Sequence, residues 1–163
     1  MGGLMRALVV SSVLGSVIFA VACSGGGGNN SGGDSGTGDG TAEQLCVDTI
    51  NNYRATLGLP PYARWTDKET CADGQAQSDS QSGTAHGAFK QCTELAQNEC
   101  PGWPGPPSSM IPQCLQMMWN EGPGTNFSQH GHYINMSSTQ YTKVACGFYT
   151  LSDGSVWAVQ DFQ

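Results

Sequence analysis

The sequence predicts an α+β fold in which helices pack on an antiparallel sheet that disulfides stabilise. Two capping boxes, each followed by apolar residues at helical spacing, predict helices in the first half of the domain. The last third changes to short runs rich in β-branched and aromatic residues, which are typical of strands. Helices that come first and strands that come last favour the α+β class over an alternating α/β arrangement.

Residues 1–22 have the pattern of an export signal. Arg6 makes the start positive, and an apolar run over residues 7–22 ends at Cys23. A membrane-spanning helix needs about 20 apolar residues, so this shorter run fits a signal peptide. The stretch "AVAC" resembles a bacterial lipobox, in which the signal is cut before the cysteine and acyl chains attach to it. The alternative is an ordinary secretory signal in which Cys23 is a stray thiol.

Residues 23–41 are predicted to be a Gly/Ser-rich flexible tether. The stretch "SGGGGNNSGGDSGTGDG" contains no apolar residue, so it cannot bury enough surface to order itself. A tether between a lipid on Cys23 and a domain over residues 42–163 is what a surface lipoprotein needs. Ser24, rather than an aspartate, follows the cysteine, which in the lipobox resemblance favours the outer membrane. We therefore expect a cell-envelope or extracellular protein, lipid-anchored at a bacterial outer membrane, with the membrane as a partner.

The cysteine count supports export. The chain has seven cysteines, and removing Cys23 leaves six, which in an oxidising compartment predicts three disulfides. Six cysteines allow 15 pairings, and the sequence does not choose among them. A zinc cluster is disfavoured because no Cys-x-x-Cys spacing occurs. The six are Cys46, Cys71, Cys92, Cys100, Cys114 and Cys146.

The charge balance excludes one class of partner. The formal net charge is −7, from 13 acidic and 6 basic residues, and no basic run offsets it. Nucleic-acid binders carry basic patches. We therefore expect no nucleic-acid partner.

Three helices are predicted in order along the domain. The first begins with Thr41 as N-cap of the capping box "TAEQ" and ends before Gly58 and two prolines. The second begins at the capping box "TDKE", residues 66–69, and runs to about Ser80. The third begins at Ser108 or the next serine and runs through Glu121. Its Pro112 is tolerable because it falls in the first turn.

The remaining elements are loops and strands. The segment before the third helix is rich in proline and glycine, so we predict a loop there, with one strand in this cysteine-rich part as the alternative. "HYINM", "KVACGFYTL" and "VWAVQDF" are predicted strands, and "SDGS" joins the last two as a hairpin.

Three ordered stretches carry a family resemblance. "INNYRATLGLPPYARW", "GHYINMSSTQYTKVACGFY" and "VWAVQDF" resemble the signatures of the CAP superfamily, the cysteine-rich secretory, antigen 5 and pathogenesis-related 1 proteins. The match is clearest to the bacterial branch and covers about residues 43–163. The resemblance implies an α-β-α sandwich with a concave cleft that carries two histidines and two acids.

The resemblance also implies which residues line this cleft. The histidines are His86, in "AHGAF", and His132, in "GHY". One acid is Glu121, which is one residue closer to the preceding tryptophan than the family's usual Trp-x-x-Glu spacing. The other acid belongs to a "GEN" motif, where this chain has "AQN". Gln97 therefore stands where the family has glutamate, and Asn98 matches the asparagine.

The neutral Gln97 changes what the cleft can do. A carboxylate next to a ligating histidine raises its basicity, whereas an amide carries no charge. Glu99 is close by in sequence, but the one-residue shift is expected to turn it to another side. No cofactor is certain. Two histidines and Glu121 could still hold Zn²⁺ or another divalent metal with water at the open positions, more weakly than with both acids. The alternative is a polar cleft whose side chains satisfy one another.

His130 is a separate case. In a strand, His130 and His132 would share a face and could chelate a metal together. His130 lies outside the family motif, however, so we predict a histidine exposed in the loop before that strand.

The leading functional hypothesis is an extracytoplasmic binding or interaction module. The resemblance implies a lipid, a small molecule, a metal ion or a protein as the ligand, without choosing one. The alternative is a metal-dependent hydrolase of peptides or esters that uses the same cleft. The sequence identifies no catalytic residue. A third hypothesis is a purely structural envelope protein.

Overall fold

A computed structural model describes residues 41–163. The predicted signal peptide, Cys23 and nearly all of the tether lie outside these residues. Within them, helices cover both faces of a four-stranded sheet, so the predicted α+β fold and its three layers are confirmed. The elements are α1 (Ala42–Thr56), β1 (Ala63–Arg64), a 3₁₀ turn (Thr66–Lys68), α2 (Glu69–Ser82), β2 (Ala96–Pro104), α3 (Pro107–Trp119), α4 (Phe127–Ser137), β3 (Lys143–Thr150) and β4 (Ser155–Phe162).

The sheet is mixed rather than wholly antiparallel. The strand order is β1-β3-β4-β2, in which β3 and β4 form the predicted hairpin and β2 pairs antiparallel with β4. The two-residue β1 pairs parallel with β3. A parallel pair needs a crossover connection, and here α2, β2, α3 and α4 lie between the two strands in the chain.

The sheet separates two unequal cores. The larger core lies between the sheet and α1, α3 and α4, and the smaller core lies under α2. The smaller core consists of Ala72, Ala76 and Val159, so α2 approaches the sheet closely. Gly147 permits this approach, because a Cβ atom there would lie 2.2 Å from the backbone carbon of Ala72.

Three predicted elements differ from the structure. "HYINM" lies in α4, not in a strand, because five residues with one β-branched side chain do not distinguish the two periods, and the Asn126 side chain caps this helix. The second capping box does not form, since residues 66–68 make a 3₁₀ turn and α2 begins at Glu69. The proline-rich segment contains β2, as the alternative had it. The Thr41 cap at the first box is confirmed.

Three disulfides connect the layers, as predicted. Cys46–Cys146 joins α1 to β3, Cys71–Cys92 joins α2 to the segment before β2, and Cys100–Cys114 joins β2 to α3. Five of the six cysteines are fully buried. Disulfides of this kind persist in oxidising compartments.

Within residues 41–163, no helix is both long enough and apolar enough to cross a membrane.

A buried arginine connects α1 to the end of α4. The side chain of Arg54 is 1% exposed. Its Nε donates to the carbonyl oxygen of Pro60 at 2.9 Å, and its Nη1 donates to those of Met136 and Ser138, each at 2.8 Å. Its guanidinium carbon lies 3.5 Å from the centroid of the Tyr62 ring. Carbonyl dipoles and an aromatic face therefore stabilise this cation, which has no carboxylate partner within residues 41–163.

Replacing this arginine should destabilise the fold strongly. We expect Arg54→Met to lower the free energy of unfolding by about 3 kcal/mol or more, because it takes the Arg54 donor away from the buried carbonyl of Met136 and from the partly buried carbonyls of Pro60 and Ser138. Urea denaturation measures the loss. The matched control is Arg64→Met, which removes a partly exposed ion pair with Glu69 and should cost about 1 kcal/mol or less. Equal losses in the two variants would contradict the role given to Arg54.

Candidate functional site

The structure brings the five predicted cleft residues around one cavity. His86, Gln97, Asn98, Glu121 and His132 all line a cavity of about 220 Å³. Their positions come from three parts of the chain: the loop after α2, the start of β2, and the α3–α4 connection with α4 itself.

Buried carboxylates hold the loop that carries His86. His86 has a φ of 60°, a left-handed conformation that costs a non-glycine residue about 1–2 kcal/mol. Its backbone N–H donates to Glu99 Oε2 at 2.5 Å. Two residues on, the N–H of Ala88 donates to Asp79 Oδ1 at 2.8 Å. These buried carboxyl oxygens stabilise a loop conformation that its sequence does not favour by itself.

Glu99 lies against His86, so the expectation that it turns elsewhere was wrong. Residues two apart in a strand share a face, which places Glu99 beside Gln97 in β2. The pKa of Glu99 is raised to about 7, mainly by burial and also by the negative charge of Asp79, while the N–H of His86 opposes the shift. The alternating pattern of "QNE" could have shown this, had the segment been predicted as a strand.

Gln97 contacts the ring of His86. Its Oε1 lies 2.9 Å from His86 Nδ1. Its Nε2 donates to Gln75 Oε1 at 3.1 Å and to Asp161 Oδ1 at 3.0 Å. The neutral side chain therefore lies against the His86 ring, and a carboxylate that sequence reasoning missed, that of Asp161, lies directly behind it.

Glu121 holds the other histidine ring. It lies in the turn after α3, and its Oε1 is 2.5 Å from His132 Nδ1. Its Oε2 also accepts from the backbone N–H of His132 at 3.0 Å. Trp119, two residues before it, packs between the rings of Tyr53 and Tyr133 at centroid distances of 5.1 and 4.6 Å. This packing fixes the end of α3 and therefore the base of the Glu121 side chain.

His130 supports Glu121 and is not an exposed loop residue. Both histidines lie on α4, where positions i and i+2 point about 200° apart, so the pair cannot chelate one ion through a shared face. The Nδ1 of His130 lies 2.7 Å from the carbonyl oxygen of Glu121 and 3.0 Å from that of Gly122. Because carbonyl oxygens only accept, this Nδ1 carries a proton.

Asn98 connects β2 to α4. Its Nδ2 donates to the carbonyl oxygen of His132 at 3.2 Å, and its Oδ1 accepts from Asn135 Nδ2 at 2.9 Å. Asn98 therefore fixes the backbone that carries His132.

Four carboxyl groups are buried on the α2 side of the cleft. They are those of Asp79, Glu94, Glu99 and Asp161. The pKa of Asp161 is raised to about 7, mainly by burial and also by the charges of the other three acids, while the hydrogen bond that Gln97 donates opposes the shift. Burial likewise raises the pKa of Asp79. His86 is the ionisable base in contact with this group.

The raised pKa of Asp161 makes stability depend on pH. An acid whose pKa is higher in the folded protein binds its proton more tightly when folded. The stability that Asp161 contributes is fully present below about pH 4, the pKa of the group in the unfolded chain, and is lost as the pH rises through about 7, its pKa in the folded protein. We expect the free energy of unfolding to fall by roughly 1–3 kcal/mol between pH 5 and 8.

Urea denaturation across this pH range measures the effect. Asp161→Asn should make the dependence shallower, because it keeps the shape and removes one of the two carboxyl groups whose pKa is about 7, the other being Glu99. Asp153→Asn is the matched control, since Asp153 is exposed in the β3–β4 turn. Stability that rises with pH, or an equal slope in Asp161→Asn, would contradict the assignment.

The donor atoms of the cleft fit a divalent cation only in part. Hydrogen bonds occupy Nδ1 of both His86 and His132, and neither Nε2 has a partner within residues 41–163. The one group of three potential ligands found there within 4.8 Å of one another is Cys92, Glu94 and Asp161, and the Cys92 sulfur is in a disulfide. The cleft thus offers two imidazole nitrogens, with Glu121 engaged by His132.

An apolar chamber adjoins the histidine cavity. It has a volume of about 380 Å³ and shares His86, Gln97, Phe127 and Asn135 with the polar cavity. Its other lining residues are Phe89, Leu95, Ala96 and Tyr141. Two large apolar side chains at this chamber are exposed to solvent, Leu95 at 60% and Phe127 at 63%.

The described residues therefore form a disulfide-bonded α-β-α domain with a histidine-containing cleft. The sequence profile of CAP, the cysteine-rich secretory protein family, matches residues 47–162. The chain belongs to this family. A comparison with curated protein sequences found no match.

Solved structures share the fold. Na-ASP-1 matches with a TM-score of 0.51 and 15% identity over 82% of this chain, which covers 41% of that longer chain. The hookworm platelet inhibitor matches with a TM-score of 0.51 and 12% identity, over 74% of this chain and 67% of that one. BmVAL-1 matches with a TM-score of 0.55 and 14% identity, over 80% of each chain. At these identities the likeness shows the fold alone.

Proposed function

We propose that this chain is a lipid-anchored cell-envelope protein whose CAP domain binds a ligand outside the membrane. The lipobox-like "AVAC", the following tether and the three disulfides support this location. Acyl chains on Cys23 would anchor the chain in a bacterial outer membrane, and more than one chain is needed for a stable anchor.

The observation that carries the binding function is the pair of adjoining chambers. One chamber has polar donors and acceptors around His86 and His132, and the other has aromatic and aliphatic walls. Ligand sites combine apolar walls with a few placed polar groups. The matching ligand has an apolar part in the larger chamber and a polar group at the histidines. The net charge of −7 disfavours polyanions.

A divalent cation is a candidate for the polar chamber. His86 and His132 would hold it through Nε2, with water as the remaining ligands. When bound, such an ion polarises an oxygen of the ligand or lowers the pKa of its bound water. Glu121 would keep His132 oriented and more basic, whereas Gln97 can orient His86 but adds no charge.

The apolar chamber can be tested with 8-anilinonaphthalene-1-sulfonate, a small apolar dye with a polar group. We expect the folded protein to bind it, and Leu95→Asp to weaken the affinity by about tenfold, because a charge at the chamber is costly next to an apolar ligand. Met117→Asp is the matched control, since Met117 is 53% exposed and lies outside both chambers. Fluorescence titration measures both affinities. Equal affinities for the two variants would contradict binding at this chamber.

The second candidate function is a metal-dependent hydrolase of peptides or esters. Zinc calorimetry together with a turnover assay distinguishes it from a binding module. The observation in its favour is that both Nε2 atoms are free while Glu121 holds one ring. We expect Zn²⁺ to bind the purified protein, and His86→Ala/His132→Ala to abolish that binding. Binding without turnover on a peptide and ester panel supports the module. Turnover that Glu121→Gln reduces supports the hydrolase. Absence of histidine-dependent binding contradicts the metal in both.

A further inference from the structure

The amide of Gln97 has its full set of hydrogen bonds inside the protein. Its two N–H groups donate to Gln75 Oε1 and Asp161 Oδ1, and its oxygen faces His86 Nδ1. Gln97, Gln75 and Asp161 are all buried. A buried amide with three fixed partners has one favourable orientation.

A backbone carbonyl shows which way the amide is oriented. Gln75 Nε2 lies 2.9 Å from the carbonyl oxygen of Ala88, which can only accept, so the nitrogen of Gln75 must point there. The oxygen of Gln75 therefore points at Gln97, and the facing atom of Gln97 must be its nitrogen. The oxygen of Gln97 is then the atom that faces the His86 ring.

The orientation of Gln97 in turn sets the protonation of the ring. Since Gln97 Oε1 accepts, Nδ1 of His86 carries the proton, and the neutral ring has its lone pair on Nε2. In free histidine either nitrogen can carry the proton. Here the buried amide selects the form whose Nε2 is open to a ligand.

Asp161 also disfavours a glutamate at position 97. A carboxylate there would lie about 3 Å from Asp161 Oδ1, the present Gln97 Nε2 distance. Asp161 is fully buried and its Oδ2 has no hydrogen-bond partner within residues 41–163. Glu94, Glu99 and Asp79 already place negative charge around it. A further carboxylate would add like-charge repulsion in a buried site and remove both N–H donors.

We propose that Asp161 is a positioning residue for His86, acting through Gln97, and that the pair Gln97–Asp161 replaces a carboxylate placed directly against the ring. The negative charge lies one hydrogen bond further from the imidazole than a glutamate at position 97 would place it. The amide passes the orientation on to the ring, while the carboxylate and Gln75 hold the amide.

The first test measures the His86 tautomer by ¹⁵N NMR of the histidine-labelled protein at about pH 8, without metal or ligand. We expect the proton on Nδ1 in the wild type and in Asp161→Asn, whose side-chain oxygen can still accept from Gln97. Asp161→Ala should shift part of the His86 population to the Nε2–H form. His132, held by Glu121, is the internal control and should not change. A His86 ring that keeps Nδ1–H in Asp161→Ala overturns the positioning role.

The second test is a double-mutant cycle, which also decides the matter if Asp161→Ala does not fold. Gln97→Glu alone should lower the urea midpoint, because two carboxylates then face each other. Adding Asp161→Asn to Gln97→Glu should raise the midpoint again. Compared with its effect in the wild type, Asp161→Asn in the Gln97→Glu background should lower the unfolding equilibrium constant by a further factor of about ten. Equal effects of Asp161→Asn in both backgrounds show that the two positions are not coupled and overturn the proposal.

The proposal rests on the cleft that the proposed function uses, but neither test contains a ligand. A failure of the tautomer and coupling experiments therefore leaves the dye and zinc results standing. A failure of dye and zinc binding likewise leaves the Gln97–Asp161 pair intact.

Discussion

The burial of the Arg54 guanidinium is the interaction on which the cleft side of the fold depends. A cation in a core must find compensation there, and here three carbonyl groups and the face of Tyr62 supply it. Two of those carbonyls belong to the end of α4, where the helix leaves backbone acceptors without intrahelical partners. Arg54 thus joins α1 to α4, and α4 carries His132. The Cys46–Cys146 disulfide joins the same α1 to the sheet.

Buried ionisable groups also need hydrogen-bond partners at the other wall of the cleft, where they are acids. Asp79, Glu94 and Glu99 are buried next to a loop whose conformation leaves backbone N–H groups without regular partners, and they accept from these groups. The loop gains acceptors and the carboxylates gain donors. His86 is therefore held by hydrogen bonds to buried carboxyl groups rather than by a helix or strand. Its left-handed conformation persists because these contacts outweigh its cost.

The sequence predicted what depends on composition and on ordered motifs. The three layers, the β3–β4 hairpin, the three disulfides and the meeting of His86 with His132 at one cavity could all be predicted. The helical conformation of "HYINM" could not be predicted, because a short apolar run does not show whether its periodicity is that of a helix or of a strand. Its buried residues, Asn135 and Met136, are buried by tertiary packing. Asp161 was missed because a polar residue in a strand reads as solvent-facing unless both faces of the sheet are known to be covered. Glu99 was set aside because its segment was predicted as a loop, where the alternation of a strand does not apply.

The two histidines are held by different means, and this difference bears on the chemistry of the cleft. Glu121 places a carboxylate directly against Nδ1 of His132. Gln97 places a neutral amide against Nδ1 of His86, and a carboxylate oxygen there, Glu99 Oε2, lies 3.8 Å from that nitrogen. The proposed ligand, with a polar group and an apolar part, suits this asymmetric pair, because a carboxylate orients one ring and a neutral amide orients the other. The apolar chamber beside His86 would take its apolar part.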